Sequence, residues 1–402
     1  AALIIGLFLR LIWLEDMEYK YDEIYMFEKT QAIGLTEPWP ALGMASGVGT
    51  QNPPMSIWAF VVLKKITGAL TPLELSLAVR WLNIFALFGV LWLIWTRVEK
   101  QKRDLWLWGL SLACVSPFAI VIHRKIWAQS LLPFFSVLFW LAWWKRNTAR
   151  GAFFYGFIGA LLGQLHMSGF FFAAAIWIWT VLAELLRKAK TKTRWIYWLM
   201  GSATGAIFLV PWLKYMEKGT PLYVGIKLKN LFRWDYWYNL LTNSMGTMLD
   251  YSFGPHFEEF MSHPLIKISH WGVWGLTALA IGFWLWRVAR KEIKLSLFPA
   301  DPTPLIIAAV LIPAGLLLSL KGFKIYRHYE IVQFPLEWVI LASLFFALPK
   351  KFKTPALLMV WIFQFTLSWG FIKYIRDHGG APDGDYGTVY RLKQLDPHNA
   401  PR

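Results

Sequence analysis

The amino-acid sequence predicts an all-α protein that crosses a membrane many times. Apolar residues make up 57% of its 402 residues and charged residues only 16%, whereas about a quarter of the residues in soluble domains are charged. Apolar runs long enough for a helix to cross roughly 30 Å of hydrocarbon recur along the chain, with short basic clusters between them. These observations predict a polytopic integral membrane protein with about 11 transmembrane helices.

The predicted spans extend from the start of the chain to residue 371. They cover residues 1–14, 75–96, 104–122, 126–144, 151–170, 171–186, 195–213, 271–287, 304–320, 331–348 and 355–371. Clusters of Lys and Arg fall at every second junction between spans, and the positive-inside rule places such clusters in the cytoplasm. The other connecting segments then lie on the opposite, outer face of the membrane.

The outer segments divide the chain into four parts. We expect a transmembrane module over 1–213 with a first outer loop at 15–74, a long periplasmic loop at 214–270, C-terminal transmembrane helices over 271–371 and a periplasmic tail at 372–402. The sequence contains no Asn-X-Ser/Thr acceptor for N-glycosylation, which favours a bacterial source. We therefore expect the chain to lie in a cell inner membrane.

The charge of the chain does not indicate nucleic acid. Although the formal net charge is +17, most Lys and Arg residues lie in short clusters between apolar runs, where they set topology and contact anionic lipid headgroups. The single cysteine, Cys114, lies within an apolar run. This excludes a disulfide framework and a cysteine-based metal site.

The first outer loop carries the adjacent acids Asp22 and Glu23 directly after the first span. Apolar residues recur after them at helical spacing and Gly34 follows, which predicts a short amphipathic helix in the membrane interface. Asp22 at its start is either a helix cap or a catalytic acid, and the pattern alone leaves both open. Asn52, as an N-cap before two prolines, predicts a second surface helix that ends before Gly68.

Ionisable and polar side chains collect at the predicted outer turns. They are His123, Arg124, Lys125, Gln129, His166, Lys324, Tyr326, Arg327 and His328. The basic residues near 324–327 violate the positive-inside tendency, so this turn either holds an anion or is a solvated loop. The turn at 123–125 is similarly either a ligand site or a set of side chains that reach the membrane surface.

Two further outer segments carry patterns with more than one interpretation. Aromatic residues in the loop 214–270 suit stacking against sugars, and they also suit a membrane interface. Asp383 and Asp385 in the tail are spaced to bind a divalent cation, although the neighbouring Gly and Pro residues are typical of turns. The sequence leaves metal dependence open.

In the order of these motifs the chain resembles the glycosyltransferases of the GT-C fold that use polyprenyl-phosphate sugars. The nearest branch is that of the protein O-mannosyltransferases and the aminoarabinose transferase of lipid A. The matching motifs are Asp22-Glu23, Asn52-Pro53-Pro54-Met55, Arg80, His123-Arg124, Gln164-Leu165-His166, Tyr326-Arg327-His328-Tyr329 and Pro335. The family often has Asp where Gln129 stands and His where Asn52 stands, so the branch and the metal requirement stay open.

The resemblance implies a function for the residues that match. It implies that residues 1–213 form the catalytic GT-C module, and that the enzyme moves a sugar, with inversion, to a hydroxyl or amine of a lipid, glycan or protein at the outer face. Asp22 inherits the role of general base and Glu23 a supporting role. Arg124, Lys125, Lys324 and Arg327 are the expected ligands of the donor phosphate, and His123, Gln129, His166, Tyr326 and His328 are expected to bind substrate.

Three other functions remain open at this stage. A lipid-linked-sugar polymerase or ligase would share the donor and the membrane, but we would expect it to depend on Arg and His in large outer loops. A secondary transporter would be expected to have charged residues or Gly/Pro breaks near the middle of the membrane. A scaffold without enzymatic activity would not need basic residues on the outer face.

Overall fold

The computed structural model describes residues 1–45, 51–186, 191–216, 233–320 and 324–395. Helices make up most of this part of the chain, and its only sheet is a hairpin of two short strands, β1 (Gly380–Ala381) and β2 (Gly387–Thr388). The predicted all-α class is confirmed. The helices of the first half are α1 (Ala2–Leu11), α2 (Tyr21–Ala32), α3 (Met55–Thr67), α4 (Pro72–Thr96), α5 (Arg103–Val115), α6 (Pro117–His123), α7 (Leu132–Trp144), α8 (Ala149–Leu165) and α9 (Ser168–Leu185).

The second half is also helical. Its helices are α10 (Trp195–Ala206), α11 (Val210–Met216), α12 (Asp235–Met245), α13 (Leu249–Phe253), α14 (Phe257–Ser262), α15 (Pro264–Ala289), α16 (Pro302–Ala309), α17 (Gly315–Ser319), α18 (Leu336–Phe345), α19 (Lys350–His378) and α20 (Tyr390–Leu395). A π-helical turn at Val310–Ala314 joins α16 to α17 at Pro313.

The helices bear out the prediction of a polytopic membrane protein. In the described residues, six helical segments are long and apolar enough to cross a membrane, and α5 with α6 forms a seventh candidate bent by 60°. Three shorter apolar segments, Ala2–Leu11, Ala128–Trp144 and Leu336–Phe345, coincide with other predicted spans. The count of about 11 crossings stays a prediction, because these three segments are short for about 30 Å of hydrocarbon.

Contacts between segments show which helix ends lie together. The Arg194 amide donates to the Arg146 carbonyl oxygen at 3.0 Å, and the Thr303 hydroxyl donates to Glu99 at 3.0 Å. Arg146 follows α7 and Glu99 precedes α5, and the opposite ends of α7 and of the bent pair α5 and α6 lie beside the turn at 123–125. The basic clusters and that turn therefore lie at opposite ends of the bundle.

The two helices predicted in the first outer loop are present as α2 and α3, and their position at the membrane surface stays a prediction. Gly34 and Gly68 follow them with φ of 81° and 71°, a left-handed conformation that favours glycine and stops a helix. The predicted N-cap is wrong, because α3 begins at Met55 with Pro54 before it. The Asn52 side chain instead donates to the Met44 carbonyl oxygen at 2.9 Å, eight residues earlier in the chain.

Residues 235–262, within the predicted long loop 214–270, form α12, α13 and α14. The Tyr236 hydroxyl donates to the Val310 carbonyl oxygen at 2.8 Å, and the Trp237 indole donates to the Leu311 carbonyl oxygen at 2.7 Å. The π-helical turn changes the local hydrogen-bond pattern there, so these carbonyls take side-chain donors. The aromatic residues that the sequence analysis relates to sugar stacking thus partly serve helix packing.

Candidate functional site

A pocket of about 270 Å³ opens beside the turn at 123–125. One wall is apolar and comes from α6, where Pro117, Phe118, Val121 and Ile122 face the cavity. The rest of the lining is largely polar and comes from residues 125–127, α12, residues 246–252 and 324–328, and Asp385. This part includes Lys125, Trp127, Tyr238, Asn239, Tyr251, Lys324, Tyr326, Arg327, His328 and Asp385.

Four charged side chains form a cluster at the edge of this pocket, which we call the charge cluster: Glu18, Lys20, Lys125 and Asp385. The Lys125 ammonium lies 2.5 Å from a Glu18 oxygen and 3.4 Å from Asp385. The Lys20 ammonium lies 3.0 Å from Glu18 and 3.3 Å from Asp385. The Glu18 side chain is fully buried and that of Lys125 is 3% exposed. Each of these charges therefore needs the other to offset the cost of its removal from water.

Burial and ion pairing have opposite effects on the pKa values of the charge cluster, and the balance between them differs from one residue to the next. Burial alone would lower the pKa of Lys125, but Glu18 and Asp385 outweigh it and raise that pKa. Burial would raise the pKa of Asp385, but Lys125 and Lys20 outweigh it and lower it. For Glu18, burial outweighs the two lysines and raises the pKa. Lys125 and Asp385 therefore stay charged at neutral pH.

The C-terminal segment completes this cluster by folding onto the first outer loop. The Tyr386 hydroxyl donates to the Asp16 carbonyl oxygen at 2.6 Å, and the Arg391 guanidinium binds the buried Asp16 carboxylate at 2.5 Å. Tyr251 contributes a hydrogen bond between its hydroxyl and the Asp385 carboxylate. Asp385, from the C-terminal segment, thus lines the same pocket as residues of α6.

The other pocket cations come from the turn before α18. The Arg327 guanidinium makes a two-pronged ion pair with Asp250, at 2.9 and 3.0 Å. Lys324 is exposed, lies 5.5 Å from the centre of the Tyr326 ring and forms no ion pair with any residue in the described ranges. Lys324 is therefore the pocket cation most readily available to an anion.

Aromatic side chains line the polar wall. The ring centres of Trp127 and His328 are 4.8 Å apart, and His328 stacks on Tyr326 at 5.8 Å. His166 lies 6.0 Å from His328. Burial lowers the pKa of His328 to about 3, so its imidazole is neutral at pH 7. The structure therefore brings together three predicted substrate-binding residues, Tyr326, His328 and His166.

The acid pair of the first outer loop lies at the start of α2, with its two members in different surroundings. The Trp127 indole donates to Asp22 Oδ2 at 2.9 Å, so Asp22 lies next to the pocket wall, and its side chain is partly exposed. Glu23 is buried and accepts a hydrogen bond from the Lys20 amide at 3.3 Å. Burial, with Glu18 nearby, raises the pKa of Glu23 well above its usual range. Glu23 is thus the helix cap, while Asp22 keeps an accessible carboxylate.

His123 and Arg124 face the first helix and do not line the pocket. The Arg124 guanidinium donates to the carbonyl oxygens of Leu9, Ile12 and Trp13, all within 3.0 Å. His123 Nδ1 accepts from Arg10 at 2.9 Å. The guanidiniums thus occupy the unpaired carbonyls at the carboxyl end of α1, where a positive charge is stabilised. These two expected ligands have structural contacts, and their neighbour Lys125 alone reaches the pocket.

Gln129 is buried in the turn before α7, and its side-chain oxygen has no hydrogen-bond partner in the described part of the chain. It does not line the pocket. Glu18 is a site residue that sequence reasoning missed. Tyr251 entered it only as one of the aromatic residues of the loop 214–270, and Asp385 only as a candidate cation ligand. Their sequence neighbourhoods resemble ordinary loop segments, so only the folded contacts between distant segments identify them.

Within the described ranges, no three His, Cys, Asp or Glu side chains are grouped so that they could hold a metal ion. The charge cluster has only two carboxylates, and both are neutralised by lysine.

Comparison with models of protein families, with curated proteins and with solved structures finds no match to this chain.

Proposed function

We propose that this protein is a membrane glycosyltransferase that takes a sugar from a polyprenyl-phosphate donor. The observation that carries the proposal is the composition of the pocket, which has an apolar wall on one side and cations with aromatic rings on the other. An amphiphile with a phosphate and a sugar requires these three surfaces together: an apolar wall for the chain, cations for the phosphate and aromatic rings for the sugar.

The donor would lie along α6 with its phosphate at the cationic wall. Residues 117 to 125 span about 12 Å at the rise of a helix, which is enough for several carbons of a polyprenyl chain. Lys324 is the first candidate for the phosphate because no carboxylate pairs with it in the described residues. Lys125 would act with it once the phosphate competes with Asp385 for the ammonium group.

Asp22 would act as the general base. In an inverting transfer the acceptor oxygen or nitrogen attacks the anomeric carbon while the bond to the phosphate oxygen breaks. The acceptor loses its proton to a carboxylate, and the phosphate leaves with its charge held by cations, so the leaving group needs no strong acid. Asp22 has one oxygen bound to Trp127, and its second oxygen has no hydrogen-bond partner in the described residues, so it can take the proton.

A secondary transporter is a second candidate, favoured by one specific observation. The span formed by α5 and α6 is broken between Val115 and Pro117 with a bend of 60°, and Pro117 lines the pocket. Broken helices next to a binding pocket are a recurrent feature of transporters. Glu337, buried in α18 without a hydrogen-bond partner in the described part of the chain, adds to this comparison.

The deciding experiment measures transfer of radiolabelled sugar from a panel of polyprenyl-phosphate sugars in membranes that contain each variant. We expect Asp22→Asn to lower turnover by a factor on the order of 100 or more and Lys324→Gln to raise the KM for the donor. Asp104→Asn is the matched control, because Asp104 is an exposed acid in the first turn of α5, at the other end of the bundle.

Each outcome has a clear meaning, provided that the variants elute as monodisperse folded protein. Loss of transfer only in Asp22→Asn supports the general-base role. Turnover near wild type in Asp22→Asn refutes it. Absence of transfer from every donor, together with flux of a solute into proteoliposomes, would replace the enzyme with the transporter.

A further inference from the structure

A second cavity lies at the opposite end of the bundle from the charge cluster. It is a groove of about 580 Å³ between α4, α7 and α8. Three cationic residues, Arg97, Lys145 and Arg150, line it together with Thr148. The remaining lining residues are Trp92, Phe135, Leu138, Leu141, Ala142, Gly151, Phe154, Phe157, Ile158 and Leu161.

The polar and apolar parts of this groove are separated along the helix axes. All three cations lie at the helix ends, while the apolar lining extends ten residues along α7, from Lys145 back to Phe135. On α8 it extends eleven residues, from Arg150 to Leu161. At 1.5 Å per residue these distances are about 15 and 17 Å. One leaflet of a membrane has about the same hydrocarbon depth, roughly 15 Å.

The charges at the mouth of the groove are not neutralised. None of the described residues that line the groove is acidic. Lys145 and Arg150 are exposed and form no ion pair with the described residues, and the Arg97 Nε atom is buried without a hydrogen-bond partner there. At the same end of the bundle, Arg146 is paired with Glu184 and Arg287 with Glu292. The cations that line the groove are thus not neutralised by any described carboxylate.

We propose that the groove binds one anionic phospholipid from the adjacent leaflet. The lipid phosphate would lie between Arg97, Lys145 and Arg150, and one acyl chain would follow α7 and α8 toward Phe135 and Leu161. Charge complementarity selects a lipid with net negative charge over a zwitterionic one, and the length of the apolar lining fits a chain of one leaflet. This site is separate from the pocket beside Lys125 and does not depend on the proposed transfer reaction.

Binding can be measured by native mass spectrometry of the purified full-length protein, after removal of endogenous lipid. Phosphatidylglycerol and phosphatidylcholine with identical acyl chains are titrated separately. We expect wild type to bind one phosphatidylglycerol in clear preference to phosphatidylcholine. The combined variant Arg97→Gln, Lys145→Gln and Arg150→Gln should weaken this binding by a factor on the order of 100, because each surface cation contributes about a factor of five.

Two further variants separate a defined site from general attraction to the basic face. Arg290→Gln, Lys291→Gln and Lys351→Gln together remove three cations outside the groove and should leave binding unchanged. Leu141→Trp fills the apolar groove, keeps every charge and should weaken phosphatidylglycerol binding. Equal losses in the two charge variants, or normal binding by Leu141→Trp, would overturn the proposal. Equal binding of the two lipids by wild type would do the same.

Discussion

Replacement of Lys125 by glutamine should destabilise the protein strongly, because Lys125 neutralises a buried carboxylate. At 2.5 Å from Glu18, the attraction is about 7 kcal/mol at an effective dielectric constant of about 20. Most of this offsets the cost of removing both charges from water. Loss of one partner of a buried pair leaves the other charge uncompensated and typically costs about 3–5 kcal/mol. Lys20 also contacts Glu18, so we expect the lower part of that range for Lys125→Gln.

The assay is the free energy of unfolding in mixed micelles of mild detergent and dodecyl sulfate, for Glu18→Gln, Lys125→Gln and the double variant. The double variant should cost clearly less than the two single variants summed, because neither charge remains. The cost of Lys125→Gln should also grow with pH. Without Lys125 the folded state keeps the Glu18 proton above the pH at which the unfolded chain loses it, so stability falls as the pH rises.

Two results would refute this reasoning. Additive effects of the single variants would mean that Glu18 and Lys125 do not interact in solution. A cost of Lys125→Gln that is unchanged between pH 5 and pH 8 would mean that removal of Lys125 does not change the pKa of Glu18 in the folded state.

Three further predictions concern contacts elsewhere in the site. Arg124→Gln should lower the free energy of unfolding by about 1–3 kcal/mol. It should leave the KM for the sugar donor unchanged, because the Arg124 guanidinium binds carbonyl oxygens of α1 and does not line the pocket. Gly246→Ala should cost about 1–3 kcal/mol, because φ is 72° and a Cβ would meet Pro117 at 2.4 Å. Gly275→Ala, with nothing within 4 Å of the added Cβ, should leave stability unchanged or raise it slightly, because alanine favours a helix more than glycine does. Because burial lowers the pKa of His328 in the folded state, the protein should lose stability as the pH falls below about 6.5. His328→Gln should therefore make the melting temperature vary less between pH 7 and pH 5.

The sequence predicted the helices well because their causes are local. An apolar run of sufficient length and a glycine with positive φ act through neighbouring residues, and both operate at α3, whose end at Gly68 was predicted. The start of α3 was predicted two residues too early because the Asn52 side chain bonds to the Met44 carbonyl oxygen and does not cap the helix, a contact that no local pattern specifies. The helices at 235–262 were missed for a similar reason, since Tyr236 and Trp237 are held by carbonyls of a distant π-helical turn.

The candidate site was predictable only in part, because two of its walls come from segments far apart in the chain. Lys324, Tyr326, Arg327 and His328 were found because a basic turn on the predicted outer side is unusual in itself. Asp385 could not be assigned to the pocket from its sequence context. Its position follows from the docking of the tail, in which Tyr386 and Arg391 bind Asp16. Such tertiary contacts have no periodicity and no spacing from which to infer them.

The turn at 123–125 shows why adjacent polar residues need not share a function. A tight turn directs successive side chains to different sides, so His123 and Arg124 face α1 while Lys125 faces the pocket. Arg124 and Arg80 both bind carbonyls near residues 9–14 and thereby fix the segment that leads to Glu18 and then to Asp22. The same short turn therefore fixes the start of the first outer loop through Arg124. It also supplies Lys125, the cation that Glu18 of this loop neutralises. A substitution at 123 or 124 should act through stability, whereas one at 125 should change both the stability and the charge of the pocket.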